Sequence, residues 1–261
     1  MRINRLFFRK RLALGAIALL MGAGAAANEG GHAGWQRSAD NEVANLPSLQ
    51  RGARNFMAYC SGCHSLKYVR YSRLAEDLKI SDSLRDTYIV KPGDKFSDYI
   101  KTSMPAGDAT EWFGKPPPDL SLVARSRGSD WVFNFLTTFY ADPNSRQTGV
   151  NNLQLPGTAM PHVLASVQGV QNAVWKAEEH KGEDGKASVV PVFEKFEPGV
   201  VGSMNSEQYD EFARDIVNFL QYASDPTQVE RQGMGIWVVL FLLMFTGIAY
   251  MLKKEYWKDV R

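Results

Sequence analysis

Two cysteines and a histidine stand side by side once in this chain, as Cys60-Ser61-Gly62-Cys63-His64. Two thiols separated by two residues can add to the two vinyl groups of one haem, and the adjacent histidine then supplies a nitrogen to the iron. The spacing therefore predicts one covalently attached haem c with His64 as its proximal ligand. Zinc would need a second pair of nitrogen or sulfur ligands, and the other histidines, His32, His162 and His180, are scattered. A redox C-x-x-C is expected beside a strand in a βαβ pattern, whereas residues 48–59 read as helix. The chain has 2 cysteines in all, so haem attachment leaves none for a disulfide.

An iron held by one histidine has a sixth position, and its occupant decides the chemistry. An open position binds diatomic ligands or peroxide; a thioether raises the potential and suits electron transfer. Outside the apolar ends the donors are Met57, Met104, Met160 and Met204, with His162 and His180 as nitrogen alternatives. Met57 sits one turn before the thiols and reads as packing; Met204 introduces a helix. Met104 and Met160 each precede a proline in a loop, from which a ligand can approach without helix strain. The residues alone leave these two open.

The elements that must position these groups are mostly helical. Residues 28–46 read as an extended polar arm. Ser48 is the expected cap of a helix to Tyr59, on which Leu49, Ala53, Phe56 and Cys60 share one face and bring the thiols to the core. Residues 68–74 continue in a helical pattern, residues 74–89 mix polar helix with turns, and residues 94–101 form a short helix before a loop of Met104, Pro105 and Gly107. Pro116, Pro117 and Pro118 impose extended backbone. Ser129 caps an apolar helix over 130–140, and residues 145–161 form a long loop carrying Met160. Residues 189–196 have the β-branched content of a strand or small hairpin. Ser206 caps a helix over 207–223, striped by Tyr209, Phe212, Ala213, Ile216, Leu220 and Ala223.

The ends of the chain set its address. Residues 1–27 carry Arg2, Arg5, Arg9, Lys10 and Arg11, a short apolar run and Ala25-Ala26-Ala27, the order of a secretory signal cleaved after residue 26 or 27. Residues 233–252 are uncharged and long enough to cross a bilayer. Lys253, Lys254, Lys258 and Arg261 follow, which places the tail, 253–261, in the cytoplasm and the domain of residues 28–232 outside. Without the five basic residues of the leader, 25 basic groups face 28 acidic ones; without the tail as well, 21 face 26. That mildly acidic domain argues against nucleic-acid binding and favours encounter with a basic soluble partner.

Longer stretches carry a resemblance. Arg51-Gly52 with Cys60–Leu66, then Pro117-Pro118-Asp119-Leu120-Ser121, Arg125-Ser126-Arg127 and Trp131-Val132-Phe133, and finally Thr158-Ala159-Met160-Pro161 together resemble the cytochrome c1 family. The helix end at 215–223, Arg231 and the C-terminal span fit as well, so the likeness covers nearly the whole mature chain. It implies a mainly α, cytochrome c-like haem domain with long loops and a small β-hairpin, held by one C-terminal transmembrane helix. It further implies Met160 as the sixth ligand and Arg125 as the partner of a haem propionate. The Pro118 carbonyl is expected to accept a hydrogen bond from His64 Nδ1–H.

By the same resemblance the chain is the electron-transfer subunit of a quinol–cytochrome c reductase in the bacterial inner membrane, with its haem domain in the periplasm. Electrons would come from a Rieske iron–sulfur protein and pass to a soluble or tethered c-type cytochrome, with cytochrome b and lipid beside the anchor in a dimeric complex. No residue would act as an acid, base or nucleophile. A free-standing tethered cytochrome serving another oxidase or reductase is the alternative. Residues 79–115 transfer poorly from the family, and residues 176–202 form a charged, insertion-like stretch with no assigned role.

Overall fold

The computed structural model describes residues 35–145, 148–181 and 187–259. The expected signal, residues 1–27, lies outside them. In chain order the elements are α1 (Leu46–Tyr59), β1 (Leu66–Arg70), α2 (Tyr71–Asp77), α3 (Asp82–Tyr88), β2 (Tyr99–Ile100), α4 (Ala106–Phe113), α5 (Val123–Arg127), α6 (Ser129–Thr137), β3 (Phe139–Ala141), β4 (Val150–Asn152), α7 (Ala165–Gln168), β5 (Gly169–Lys181), β6 (Ala187–Val201), α8 (Ser206–Ser224) and α9 (Gln228–Tyr256).

The core forms where α1 crosses α8. Leu49, Ala53 and Phe56 are buried on one side, and Ile216, Phe219 and Leu220 on the other. The helices touch at Gly52, where a Cβ would stand 2.0 Å from the Asp215 carbonyl oxygen. Only glycine permits so close a backbone approach. Beside it the Arg51 guanidinium donates twice to the buried Asp215 carboxylate, at 2.6 and 2.9 Å, and Ser48 Oγ donates to the same group at 2.6 Å. Residues 28–34 of the expected arm lie outside the described residues; from Trp35 to Asn45 it carries neither helix nor strand and lies over α6 and α8. Arg37 pairs with Asp210, Ala39 N donates to Asp130, and Arg214 Nε donates to the Ala39 carbonyl.

Several boundaries differ from the expectation, each because another group supplies the partner. Asn45, not Ser48, caps α1: its side chain accepts from Ser48 N, and a proline occupies the first turn. Ser206 likewise yields to Asn205, which forms a reciprocal capping box with Gln208. Of the helical pattern over 68–74, residues 71–74 fall in α2, but 68–70 belong to strand β1, where Lys67 N and Tyr68 N are claimed by the side chains of Asp119 and Ser121. Residues 94–101 form turns and the short β2, since Tyr71 N and Ser72 N take the carbonyls of Asp98 and Phe96. The loop expected around Gly107 is instead α4, closed by Gly114 at φ 75°. The expected helix over 130–140 stops at Thr137, where Phe139 to Ala141 pair with β4.

The hairpin is the largest difference. β5 and β6 pair antiparallel from Gly169↔Val201 out to Lys181↔Ala187 and complete a four-stranded sheet in the order β4-β3-β5-β6. This is far larger than the strand expected over 189–196. Charged residues on the strands hid the alternation, and they pair across it, as Lys176 does with Glu194 at 2.8 Å. At the domain end Trp35, Phe193 and Phe196 meet edge-on or tilted. α9 runs 29 residues, longer than the predicted span of 233–252, and buries no side chain. At about 1.5 Å per residue and with a mean hydropathy of 2.2 in its most apolar window, it has the length and composition to cross a membrane.

Candidate functional site

α1 ends on the Cys-Ser-Gly-Cys-His segment and winds it into one turn. Cys60 N and Ser61 N both donate to the Phe56 carbonyl at 2.8 and 2.9 Å, and Cys63 N and His64 N both donate to the Cys60 carbonyl at 3.1 and 2.8 Å. Both thiols and the imidazole therefore come from consecutive turns of one short segment. Cys60 is buried, Cys63 half-buried, and neither is in a disulfide. Burial, with Cys63 beside it, pushes the Cys60 thiol up to about 12, so the free thiol is protonated at neutral pH.

His64 is buried, and its Nδ1 lies 2.7 Å from the Pro118 carbonyl oxygen. A carbonyl can only accept, so Nδ1 carries the proton and Nε2 keeps its lone pair. Burial lowers the His64 pKa, while the Pro118 bond and then Asp119 act against it. The result is a neutral ring in a fixed tautomer with one nitrogen available to a metal. Pro118 is held in turn by a zip between its own segment and β1. Leu120 N donates to the Ser65 carbonyl at 2.9 Å, and the Asp119 carboxylate accepts from Lys67 N and Ser121 N. Sequence reasoning singled out the Pro-Pro-Asp-Leu-Ser block but missed the reason for its aspartate and serine.

Met160 is half-buried in the loop after β4. That loop is organised by Asn152, whose Oδ1 accepts from Gln154 N, Leu155 N and Thr138 Oγ1 while its Nδ2 donates to the Phe135 carbonyl. On its far side His162 stacks flat on Phe139, with ring centroids 4.9 Å apart, and its Nε2 sits 3.0 Å from the Gly169 carbonyl. That bond commits Nε2, one of the two ring nitrogens of His162. Met104 N donates to Thr102 Oγ1, and Thr102 is bonded to the attachment turn itself. Met57 and Met204 pack against the core. The side chain of His180 lies outside the described residues.

Arg125 lies on α5 and is exposed, and its side chain makes no hydrogen bond or ion pair among the described residues. Arg127 is engaged over the Trp131 ring at 5.1 Å. Gln154 Nε2, in the Met160 loop, is buried without a partner. Among the described residues no group of three or more His, Cys, Asp or Glu gathers to hold a metal ion, so a zinc site lacks its further ligands. Two unpaired thiols and a tautomer-fixed imidazole on one short segment are a donor set that fits covalent attachment of one haem.

The model of the Cytochrome C1 family matches residues 35–173 and 202–260. The unmatched stretch between them is most of the β5–β6 hairpin. A cytochrome c1 of Allochromatium vinosum is 44% identical over 255 residues, covering 96% of this chain and 99% of that one. An ammonia monooxygenase gamma subunit of Nitrosomonas europaea is 39% identical over 217 residues, or 83% of this chain and 85% of that one. A cytochrome c1 of Rhodospirillum rubrum is 25% identical over 97% of this chain and 98% of its own length.

Proposed function

Since the chain belongs to the cytochrome c1 family, we propose that it is the haem c subunit by which electrons leave a quinol-oxidising membrane complex. The observation that carries this reading is the attachment turn: both thiols of the chain and an imidazole lie on one segment, with Nε2 left free by the 2.7 Å bond between Nδ1 and Pro118. Cys60 and Cys63 would hold one haem c through thioethers, His64 and Met160 would supply nitrogen and sulfur to its iron, Arg125 would pair with a propionate, and Pro118 would orient His64. When bound, that group carries one electron at a time between partners.

The chain's own residues set the conditions. Burial keeps the imidazole neutral and Pro118 fixes its ring, so the ligand does not have to reorganise when charge arrives. The Asn152 cluster and His162 hold the loop that presents Met160, so the thioether stays in place and small ligands are kept off. The Arg125 guanidinium offers a carboxylate two parallel donors, which offsets the cost of desolvating it. No residue moves a proton.

The donor is a Rieske iron–sulfur protein and the acceptor a soluble or tethered c-type cytochrome. Cytochrome b packs beside α9 in a dimeric assembly. The domain lies in the periplasm of a bacterial inner membrane, and residues 253–261 lie in the cytoplasm. The apolar α9, the lysines after it and the domain's acidic balance support this arrangement. The test is to tag the chain, purify it in mild detergent, and add a reduced quinol while recording the visible spectrum. Copurifying b-type haem and inhibitor-sensitive reduction of the c-type band are the expected outcome. A chain that emerges alone, with a c-type band that quinol leaves oxidised under conditions that keep other respiratory complexes intact, overturns it. The likeness to an ammonia monooxygenase gamma subunit favours one second reading, a tethered cytochrome serving a different oxidase or reductase.

A further inference from the structure

The two peptide carbonyls between the cysteines, those of Ser61 and Gly62, are each taken by a side chain from the same distant segment. Lys91 Nζ donates to the Ser61 carbonyl and to the Lys101 carbonyl, both at 2.7 Å. Thr102 Oγ1 donates to the Gly62 carbonyl at 2.6 Å, and Thr102 N donates to Ser65 Oγ at 2.9 Å. The segment is anchored at both ends by buried Ile89 and Ile100, and β2 pairs with β1 directly after the turn.

The two clamps differ in charge. Thr102 is neutral. Lys91 is half-buried and brings an ammonium against the turn that holds both thiols and His64. Burial pulls its pKa down, and Asp94 pushes it back up. Asp94 is itself held in place, since its Oδ2 accepts from Tyr71 O–H at 2.8 Å. A fixed charge shielded from solvent is weakly screened by salt, and it favours whichever redox form carries more electrons.

We propose that Lys91 is a positioning residue for electron transfer, whose ammonium binds the Ser61 carbonyl and places a permanent positive charge on the attachment turn, raising the potential of the group bound there. Thr102 holds the neighbouring carbonyl without that effect, and Asp94 tempers it. The inference rests on haem attachment at Cys60 and Cys63.

The experiment uses the full-length protein in detergent, with covalent haem measured by pyridine haemochrome in every preparation and the midpoint potential by optical redox titration. Lys91→Gln keeps a donor but removes the charge. At a fixed applied potential its reduced-to-oxidised ratio is expected to fall about three- to tenfold, where tenfold is about 59 mV for one electron. Lys91→Arg is expected to restore most of the ratio. Thr102→Val is expected to lower thermal stability and leave the potential in place. Asp94→Asn, which keeps the acceptor for Tyr71, is expected to shift the potential upward and serves if Lys91→Gln does not fold. Covalent haem with an unchanged potential in Lys91→Gln, or an unchanged or lower one in Asp94→Asn, overturns the inference. A wild-type chain without covalent haem overturns the haem reading itself.

Discussion

Replacing Gly52 by alanine sets two well-characterised effects against each other at one position. In a helix interior alanine is favoured over glycine by about 1 kcal/mol, so α1 considered alone gains stability. Against α8, however, the new methyl lies 2.0 Å from the Asp215 carbonyl oxygen, and 2.7 Å from both the Asp215 carbonyl carbon and Phe219 Cβ. These are not the far ends of flexible side chains, and no rotamer relieves them. Restoring ordinary contact requires the helices to separate by more than an ångström. That separation stretches the bonds from Arg51 and Ser48 to Asp215 and loosens the Phe56–Phe219 contact, where the ring centroids are 5.6 Å apart. Overpacking costs about 1–3 kcal/mol in cores that can adjust, and this crossing adjusts poorly. With a cost of about 3 kcal/mol, less the gain of about 1 kcal/mol in helix propensity, the expected net loss is about 2 kcal/mol. In guanidinium titrations of the detergent-solubilised protein, followed by haem absorbance, the midpoint should fall at an unchanged slope. A variant as stable as the wild type, or more stable, would mean that helix propensity outweighs the contact, and the account of the crossing would be wrong.

Met160→Leu should keep covalent haem but lower the midpoint potential steeply and admit carbon monoxide to the reduced protein; an unchanged potential would remove Met160 as ligand. His162→Phe should keep the stack on Phe139 yet leave the Gly169 carbonyl without its donor, a loss of about 1–2 kcal/mol, with faster carbon monoxide binding as the loop loosens. Unaltered stability and no gas binding would show that the loop is held without it. Burial raises the pKa values of Tyr71, Tyr209 and Tyr222, with Asp94 and Asp77 adding to the first and last. These tyrosines stay protonated in the fold while the unfolded chain ionises near about pH 10. Their contribution to stability is therefore complete below pH 10 and declines as pH rises above it. Tyr222→Phe should flatten that alkaline decline, and a denaturant series at pH 9 to 11 that shows the same slope as wild type counts against it.

The parts legible in the sequence were those whose partners are near in the chain or fixed by residue type. C-x-x-C-H implies its own turn, the stripes on α1 and α8 imply the core, and a run of uncharged residues implies the long helix. The parts that were not legible depend on partners supplied from far away. Residues 68–70 open a helical pattern yet lie in a strand, because Asp119 and Ser121, some fifty positions on, take the amides of Lys67 and Tyr68. Lys91 reads as an ordinary surface lysine until the fold brings Ser61 beneath it. Asn45 and Asn205 outcompete the serines nearby as caps because each is bonded to a donor three residues ahead, a choice that local composition leaves open. Of the proposed site residues, Cys60, Cys63, His64 and Pro118 are joined by one motif and one hydrogen bond. Local sequence narrowed the sixth ligand to Met104 and Met160 and the family likeness chose Met160, whereas Arg125 came from the likeness alone.

The joint between α8 and α9 has a bearing on how partners meet this protein. Only Asp225, Pro226 and Thr227 separate the two helices, and the gap is bridged rather than free. Asp225 N donates to the carbonyls of Gln221 and Tyr222, Arg231 closes on the Asp225 carboxylate at 2.5 Å, and Gln221 reaches Gln228 at 3.0 Å. A joint so short and so bonded transmits the anchor's tilt to the domain instead of letting it swing as a flexible tether would. On the function proposed above, electron-transfer partners would come to a domain held at one bearing over the bilayer rather than to one that swings out to meet them.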